Sequence, residues 1–299
     1  MSLVNTEWLE AKIDKVKIID SSWHLPQANR DGHSEYKKEH IKNSIFFDIE
    51  KYSKKNIELP HMLVNKNDWE MIVFDIDGTL LDFDGFQPEL IPLIRKIEEM
   101  GITVSLASGR TLPNVTPIQQ VLAVSGFVIG ENGGMVWDTK AGFPIRCLAD
   151  GKRARDAAEW LATQIDGLDP KGIETNRWRE TEWCLLDTEN YGRMRDALKT
   201  SRWPDLQVVP TGFAVHITEK GLDKSSGLKV AFEQRGIDPK KVIAVGDASN
   251  DIPMFELCGF AVAVNNEFKG VAEAADYLTE SKGTLGTIEF LEQFIMSRS

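Results

Sequence analysis

"IVFDIDGTLLD", residues 72–82, decides the fold. Ile72, Val73 and Phe74, with Met71 before them, make a short apolar run closed by a turn signal, which reads as a fully buried strand. The run ends on two carboxylates, Asp75 and Asp77, followed by Gly78 and Thr79. Positions i and i+2 of a strand point to one side, so both acids are expected together, with Ile76 facing away. Two like charges at the mouth of a buried strand are costly without a countercharge. In open parallel sheets, ligands bind beyond the carboxyl ends of the strands. A divalent cation beside one acid and a proton or hydrogen bond on the other would relieve the repulsion. A pair of surface acids capping a turn fits the buried strand and the Gly-Thr step poorly.

Outward from this stretch, strands and amphipathic helices alternate. A helix over about 88–100 places Leu90, Ile94 and Ile97 on one face, and Gly101 suits its C-terminal cap. Then come strand "ITVSLASGR" (102–110), a helix around "VTPIQQVLAV" (115–124) and "GFVIGENGG" (126–134). The pattern resumes with helix "SSGLKVAFEQRG" (225–236), strand "KVIAVGD" (241–247), helix "NDIPMFELC" (250–258) and strand "FAVAVN" (260–265). Helices "VAEAAD" (271–276) and "LGTIEFLEQFI" (285–295) close it. This predicts an α/β fold, a parallel sheet with helices on both faces. Residues 150–214 differ. A helix (153–165), a strand (182–187), a helix (191–200) and strands near 206–210 and 213–218 predict an inserted α+β cap. The expected organisation is an N-terminal segment (1–69), a core (70–149 and 215–299) and a cap (150–214).

Three further elements carry chemistry. In "GDASND" (246–251), Asp247 emerges at a strand end and Asp251 follows in the first helical turn, an oxygen-rich pair suited to Mg2+. Asp251 also has the position of an ordinary N-cap. In "SLASGR" (105–110), Ser108 can donate to a phosphoryl oxygen, and Gly109 lets backbone N–H groups cradle an anion. Lys224, in "GLDKSSG" just before a predicted helix, combines its ammonium with the helix N-terminus and so suits a phosphate dianion.

The net charge of −11 argues against a nucleic-acid partner, while a metal and a few local cations can still serve an anionic substrate. Cys147, Cys184 and Cys258 form no CxxC pair, which points away from a disulfide scaffold or zinc site and toward a reducing cytosol. No apolar run approaches the roughly 18 residues of a membrane span. The charged start "MSLVNTEWLEAKIDK" is no signal peptide, so a cytoplasmic protein with no membrane partner is expected.

The acid pair, "GDASND", Ser108 and Lys224, in this order from Met71 to about Ile295, resemble the haloacid dehalogenase (HAD) superfamily. The insertion after "GENGG" resembles the C2-type cap of the Cof-like phosphatases. Within these, "ITVSLASGR", "GENGG", "TNRWRE" and "GDASNDIPMF" look most like archaeal-type phosphoglycolate phosphatases. Arg110 departs from that pattern, which carries Asn after "SG". The resemblance implies a HAD-like Rossmannoid core and a Mg2+-dependent phosphomonoesterase acting on a small phosphorylated metabolite, phosphoglycolate first. It implies Asp75 as nucleophile and Asp77 as general acid and base. Asp75, the Asp77 carbonyl, Asp247 and Asp251 would hold the metal, with Ser108 and Lys224 on the phosphoryl group and Thr79 and Asn250 in support.

The cap is expected to choose the substrate. Arg177 and Arg179 of "ETNRWRE" are candidate carboxylate binders through bidentate pairing, or else solvated or cap-holding residues. Glu131 and Asn132 are expected to contact substrate or position the hinge, and Trp178 and Trp183 to pack. Other readings are a sugar-phosphate phosphatase of the sucrose-phosphate or mannosyl-phosphoglycerate kind, a phosphosugar mutase, and a partner-binding module.

The N-terminal segment reads as helix "TEWLEAKI" (6–13), strand "VKIIDSSW" (16–23), a polar stretch "QANRDGHSEYKKEH" (27–40) and strand "SIFFDI" (44–49). It is similar to the start of a rhodanese-type sulfurtransferase of the mercaptopyruvate kind, and the likeness stops near Leu63. The first cysteine of the chain is Cys147, so sulfurtransferase activity is not expected. A fusion junction is expected near Val64 to Glu70, and the exposed strand edges of a truncated sheet suit pairing as a homodimer.

Overall fold

Two units divide the chain, Met1–Asn65 and Lys66–Ser299. The computed structural model describes residues 6–22, 24, 30–48, 69–82, 85–138, 142–211, 214–264 and 269–298. Most of the expected fusion junction, Val64 to Asp68, lies outside them.

In the first unit, α1 (Thr6–Lys12) precedes β1 (Ile18–Asp20), α2 (Gly32–Lys38) and β2 (Ser44–Phe46). β1 and β2 pair in parallel, Ile18 against Ser44. The stretch read as polar contains α2. The Asp31 side chain caps it by accepting from Ser34 N, and the Tyr36 hydroxyl donates to the Ser44 carbonyl at 2.5 Å. A cap and a ring anchor make this helix, and neither leaves an apolar period to read.

The second unit is built on β3 (Met71–Phe74), whose four residues are all buried. After it come α3 (Leu90–Glu99), β4 (Thr103–Ala107), α4 (Leu112–Leu122), β5 (Val128–Gly130), β6 (Met135–Trp137) and β7 (Arg146–Cys147). The cap follows as α5 (Gly151–Gln164), β8 (Trp183–Leu185), α6 (Tyr191–Thr200), β9 (Leu206–Pro210) and β10 (Val215–Glu219). The chain returns to the core through α7 (Lys224–Arg235), β11 (Val242–Gly246), α8 (Ile252–Leu257), β12 (Phe260–Ala263), α9 (Lys269–Ala274), β13 (Tyr277–Leu278) and α10 (Gly283–Arg298).

The core sheet runs β13-β12-β11-β3-β4-β5-β6-β7. It is parallel from β13 to β5, as expected for β-α-β units, but β6 and β7 are antiparallel additions at one edge. The tight turn Glu131–Gly134 sends the chain straight back along β5, a connection only an antiparallel pair allows. Strand alternation sorts the core into two layers. Ile72 and Phe74 pack with Leu90 and Ile94 of α3 and Phe290 of α10. Met71 and Val73 pack with Leu228 and Phe232 of α7 and Met254 of α8. Helices thus cover both faces, which lets β3 be apolar throughout.

The cap sheet, β8-β10-β9, is antiparallel. Leu185, Val208, Val215 and Ile217 face its helices, packing on Ala157 and Leu161 of α5 and Met194 of α6. The period of two leaves Glu182, Cys184, Gln207, His216 and Thr218 on the opposite face. No helix among the described residues is long and apolar enough to cross a membrane.

Candidate active site

β3 and β11 are neighbours in the sheet, so their carboxyl ends lie side by side. Asp75 is the first residue past β3, its N–H held by the Val245 carbonyl at 2.9 Å. Lys224 Nζ donates to Asp75 Oδ1 and to Asp251 Oδ1, each at 2.5 Å. This lysine opens α7, whose N-cap is Asp223, so the helix start aims the ammonium inward, where it is fully buried. Asp247 follows β11 and accepts from Thr79 Oγ1 at 3.3 Å. Asp251 ends a short turn, Ser249–Asp251, and its Oδ2 accepts from the N–H groups of Asp247 and Ala248 at 3.0 Å. Gly78, at φ 81, has no Cβ, and one there would overlap the Asp247 carboxylate.

Carboxylate oxygens of Asp75, Asp247 and Asp251 lie within 4.8 Å of one another, against one ammonium. Burial holds the Asp75 carboxyl well above its usual range, with Lys224 only partly offsetting it. Burial and then Asp251 push Asp247 up to about 7. Burial alone would lower Lys224, but Asp251 and Asp75 overcome it and raise its pKa. The cluster is therefore short of positive charge. Its all-oxygen donor set suits a hard divalent cation, which would supply what is missing.

Asp77 does not share this pocket side by side with Asp75. β3 stops at Phe74, and the chain turns as Thr79, Leu80 and Leu81 donate back to the Ile76 carbonyl. Strand alternation ends before it reaches Asp77. This acid is half-exposed and accepts from Arg110 Nε at 2.8 Å and Nη2 at 2.5 Å. Ser108 is buried past β4, its hydroxyl accepting from the Arg110 N–H at 3.1 Å.

Glu131 and Asn132 adopt left-handed backbone, φ 52 and 51, which turns both side chains toward the cap. The Glu131 carboxylate accepts from Thr181 N and Thr181 Oγ1 at 2.8 Å and from Glu180 N at 3.0 Å. It clamps the cap loop to the core. Asn132 bridges the two parts: its amide nitrogen lies 3.2 Å from His216 Nδ1, and its oxygen accepts from Asn250 Nδ2 at 3.1 Å. Gly133, at φ 107, lets the chain pass against the Asp223 carbonyl, where a Cβ would overlap.

The two cap arginines part ways. Arg177 is exposed and pairs with Glu174 at 2.6 Å. Arg179 is buried against Glu182 and donates from Nη1 to the Gly109 carbonyl at 3.1 Å, fastening cap to core, while its Nε has no partner among the described residues. Trp183 packs in the cap with its indole N–H on the Pro170 carbonyl, whereas Trp178 is exposed.

A cavity of about 270 Å³ opens beside Lys224, lined among others by Asn132, Gln207, His216, Thr218 and Asn250. Gln207, Glu182, His216 and Thr218 were not among the expected site residues. The alternation in "FAVHIT", with Val215 and Ile217 apolar, was the signal that His216 and Thr218 face away from the cap core. Glu182, Cys184 and His216 also come within 4.8 Å of one another. Burial would raise Glu182, but His216 and then Arg179 hold its carboxyl below the usual range. Burial drives the Cys184 thiol well up, leaving it protonated. Arg179 already supplies the countercharge, so this set is a closed ion-pair network and not a second metal centre.

The profile of the haloacid dehalogenase-like hydrolases matches residues 72–169 and 171–291, starting on β3 and taking in cap and core. A protein named phosphoglycolate phosphatase from Methanosarcina acetivorans is 34% identical over 231 residues, 75% of this chain and 97% of its own length. Its namesake from Methanothermobacter thermautotrophicus is 31% identical over 226 residues, 75% of this chain and 98% of its own. The crystal structure of Thermoplasma acidophilum 0175 superposes with a TM-score of 0.68 at 25% identity, covering 76% of this chain and 99% of that one. The chain belongs to the haloacid dehalogenase-like hydrolases and groups with the phosphatases among them.

Proposed function

We propose that this protein hydrolyses the phosphomonoester of a small metabolite, with Asp75 as nucleophile. One observation carries the reading: the Asp75 carboxylate is held by a buried ammonium, 2.5 Å away, inside a cluster still short of positive charge. Asp75 attacks phosphorus as the ester oxygen leaves, giving an aspartyl-phosphate, and Asp77 gives the leaving oxygen its proton. Asp77 then takes a proton from water, which attacks the aspartyl-phosphate, freeing inorganic phosphate and restoring Asp75. Lys224, Ser108 and the backbone at Gly109 hold the phosphoryl oxygens, and Thr79 and Asn250 keep Asp247 and Asn132 in place. Mg2+, held by Asp75, Asp247, Asp251 and the Asp77 carbonyl, would neutralise the charge of the transferring group.

Phosphoglycolate is the proposed substrate, on the strength of the relatives that carry its name across three quarters of this chain. A second reading, a sugar phosphate, is favoured by the cavity, whose Gln207, His216 and Thr218 suit hydroxyl groups. A phosphate-release assay with Mg2+ across some tens of phosphorylated metabolites tests both, and the best substrate decides between them. Interconversion of phosphosugars without phosphate release would favour a mutase.

In this reading the N-terminal unit, which lies outside the residues matched by the hydrolase family, takes no part in the chemistry. A chain lacking residues 1–68 should keep its phosphate release. Loss of the cellular role with intact release would favour the partner-binding alternative.

A further inference from the structure

We propose that Arg110 is the specificity-determining residue that recognises an acid group on the leaving portion of the substrate, releasing Asp77 as it does so. The inference rests on the phosphoglycolate reading and assigns the acid group of the substrate to Arg110, a residue particular to this chain at a position where the phosphoglycolate pattern carries Asn. Three arginines stand near enough in sequence or space to be considered. Arg177 is turned to solvent on Glu174. Arg179 pairs with Glu182 where the two side chains are 4% and 0% exposed, and it also holds the Gly109 carbonyl. Taking it from Glu182 would strand a buried carboxylate, so it is not free to bind a substrate. Arg110 and Asp77 are 32% and 47% exposed, and an exposed pair is held weakly enough to exchange partners.

The geometry fits an exchange. Arg110 presents Nε and Nη2 to both oxygens of Asp77, the planar fork that matches any carboxylate. In phosphoglycolate the carboxylate is one carbon from the ester oxygen. Wherever Asp77 reaches that oxygen, the guanidinium bound to Asp77 stands next to the substrate's acid group. Moving the fork from one carboxylate to the other pairs the substrate's acid and takes the countercharge away from Asp77. It also frees Asp77, whose two oxygens are both occupied by Arg110 in the structure, to face the ester oxygen. An ester whose leaving group carries no acid offers Arg110 no second carboxylate, so Asp77 stays tied.

The test compares kcat/KM for 2-phosphoglycolate and for p-nitrophenyl phosphate in the full-length wild type, R110M and R110K. The wild type should prefer the acid. R110M should lower the ratio of the two kcat/KM values about 10- to 100-fold, the loss of one charge-assisted fork, with the change carried by KM for the acid. R110K keeps the charge without the fork and should recover part of the ratio. An equal loss on both esters would show that Arg110 only positions Asp77 and would overturn the inference, as would an unchanged ratio. If R110M does not fold, R110K carries the test alone, with a smaller fall in the ratio expected. Failure of the phosphoglycolate reading is visible in the wild type alone: turnover of p-nitrophenyl phosphate as good as that of the acid would overturn both.

Discussion

Two buried charge clusters face each other across the core and the cap, and they are built on opposite terms. In the core, three carboxylates share one ammonium, and burial drives Asp75 and Asp247 up. In the cap, Glu182 has Arg179 and His216, and its carboxyl lies below the usual range in spite of complete burial. Both clusters are buried, so burial alone does not separate them. Balance does. A cluster with its charges matched needs nothing more and serves as a fastener. A cluster left with surplus negative charge is stable only with a further cation or bound protons, and that shortage marks a place where chemistry happens.

The largest expected effect breaks the core cluster at its nucleophile. D75N should lower phosphate release from an aryl phosphate by about four orders of magnitude while the protein still melts cooperatively. Near wild-type turnover would remove Asp75 from the chemistry. Excess chelator should silence the wild type as well, with Mg2+ restoring it.

The next effect falls on the balanced cluster. E182A strands the buried Arg179 guanidinium and should cost about 3–5 kcal/mol in urea denaturation. A loss under about 1 kcal/mol would mean that the pair is as weak as an exposed one.

A subtler effect comes from pH. Without a divalent cation, native Asp247 binds a proton up to about 7, whereas an unfolded aspartate loses it near 4. Between those values the native state holds more protons, so this residue makes stability fall as pH rises through the window and level off above it. D247N cannot titrate and should flatten that slope, as measured by denaturation midpoints in chelator. A slope that D247N leaves intact would place the titration elsewhere. The smallest effect should be R177A, within about 0.5 kcal/mol of wild type, because its pair with Glu174 is exposed. A large loss there would show that the exposed face of the cap matters more than its buried fastener.

The parallel core was legible because each strand is an apolar run closed by a turn signal. "IVFDIDGTLLD" and "KVIAVGD" also carry their acids at the strand ends, and the structure brings Asp75, Asp247, Asp251 and Lys224 together. What the sequence hid were partnerships. β6 and β7 are short, and the turn at Glu131–Gly134 makes β6 antiparallel to β5. "ETNRWRE" offers two similar arginines, and only tertiary placement buries one and exposes the other. Strand alternation places Asp77 with Asp75, but the strand ends at Phe74, three residues before Asp77, and the rule no longer applies. In the sequence Arg110 is only a departure from the family pattern, because its fork on Asp77 is a contact between residues 33 apart in the chain.

The central pairing of the sheet has a consequence in time. β3 and β11 lie in register, Val73 against Ala244, yet the whole cap is threaded between them in the chain. The cap's own contacts are between near neighbours, whereas this pairing must close a very long loop, and long-range parallel pairing is slow to form. During synthesis the cap can assemble while β3 still waits for its partner. Pulse-labelled hydrogen exchange during refolding should accordingly protect the amides of β9 and β10 before those of β3 and β11. The mouth that holds Asp75 and Asp247 then forms after the cap, and a chain that stops short of Asp251 lacks part of the cluster.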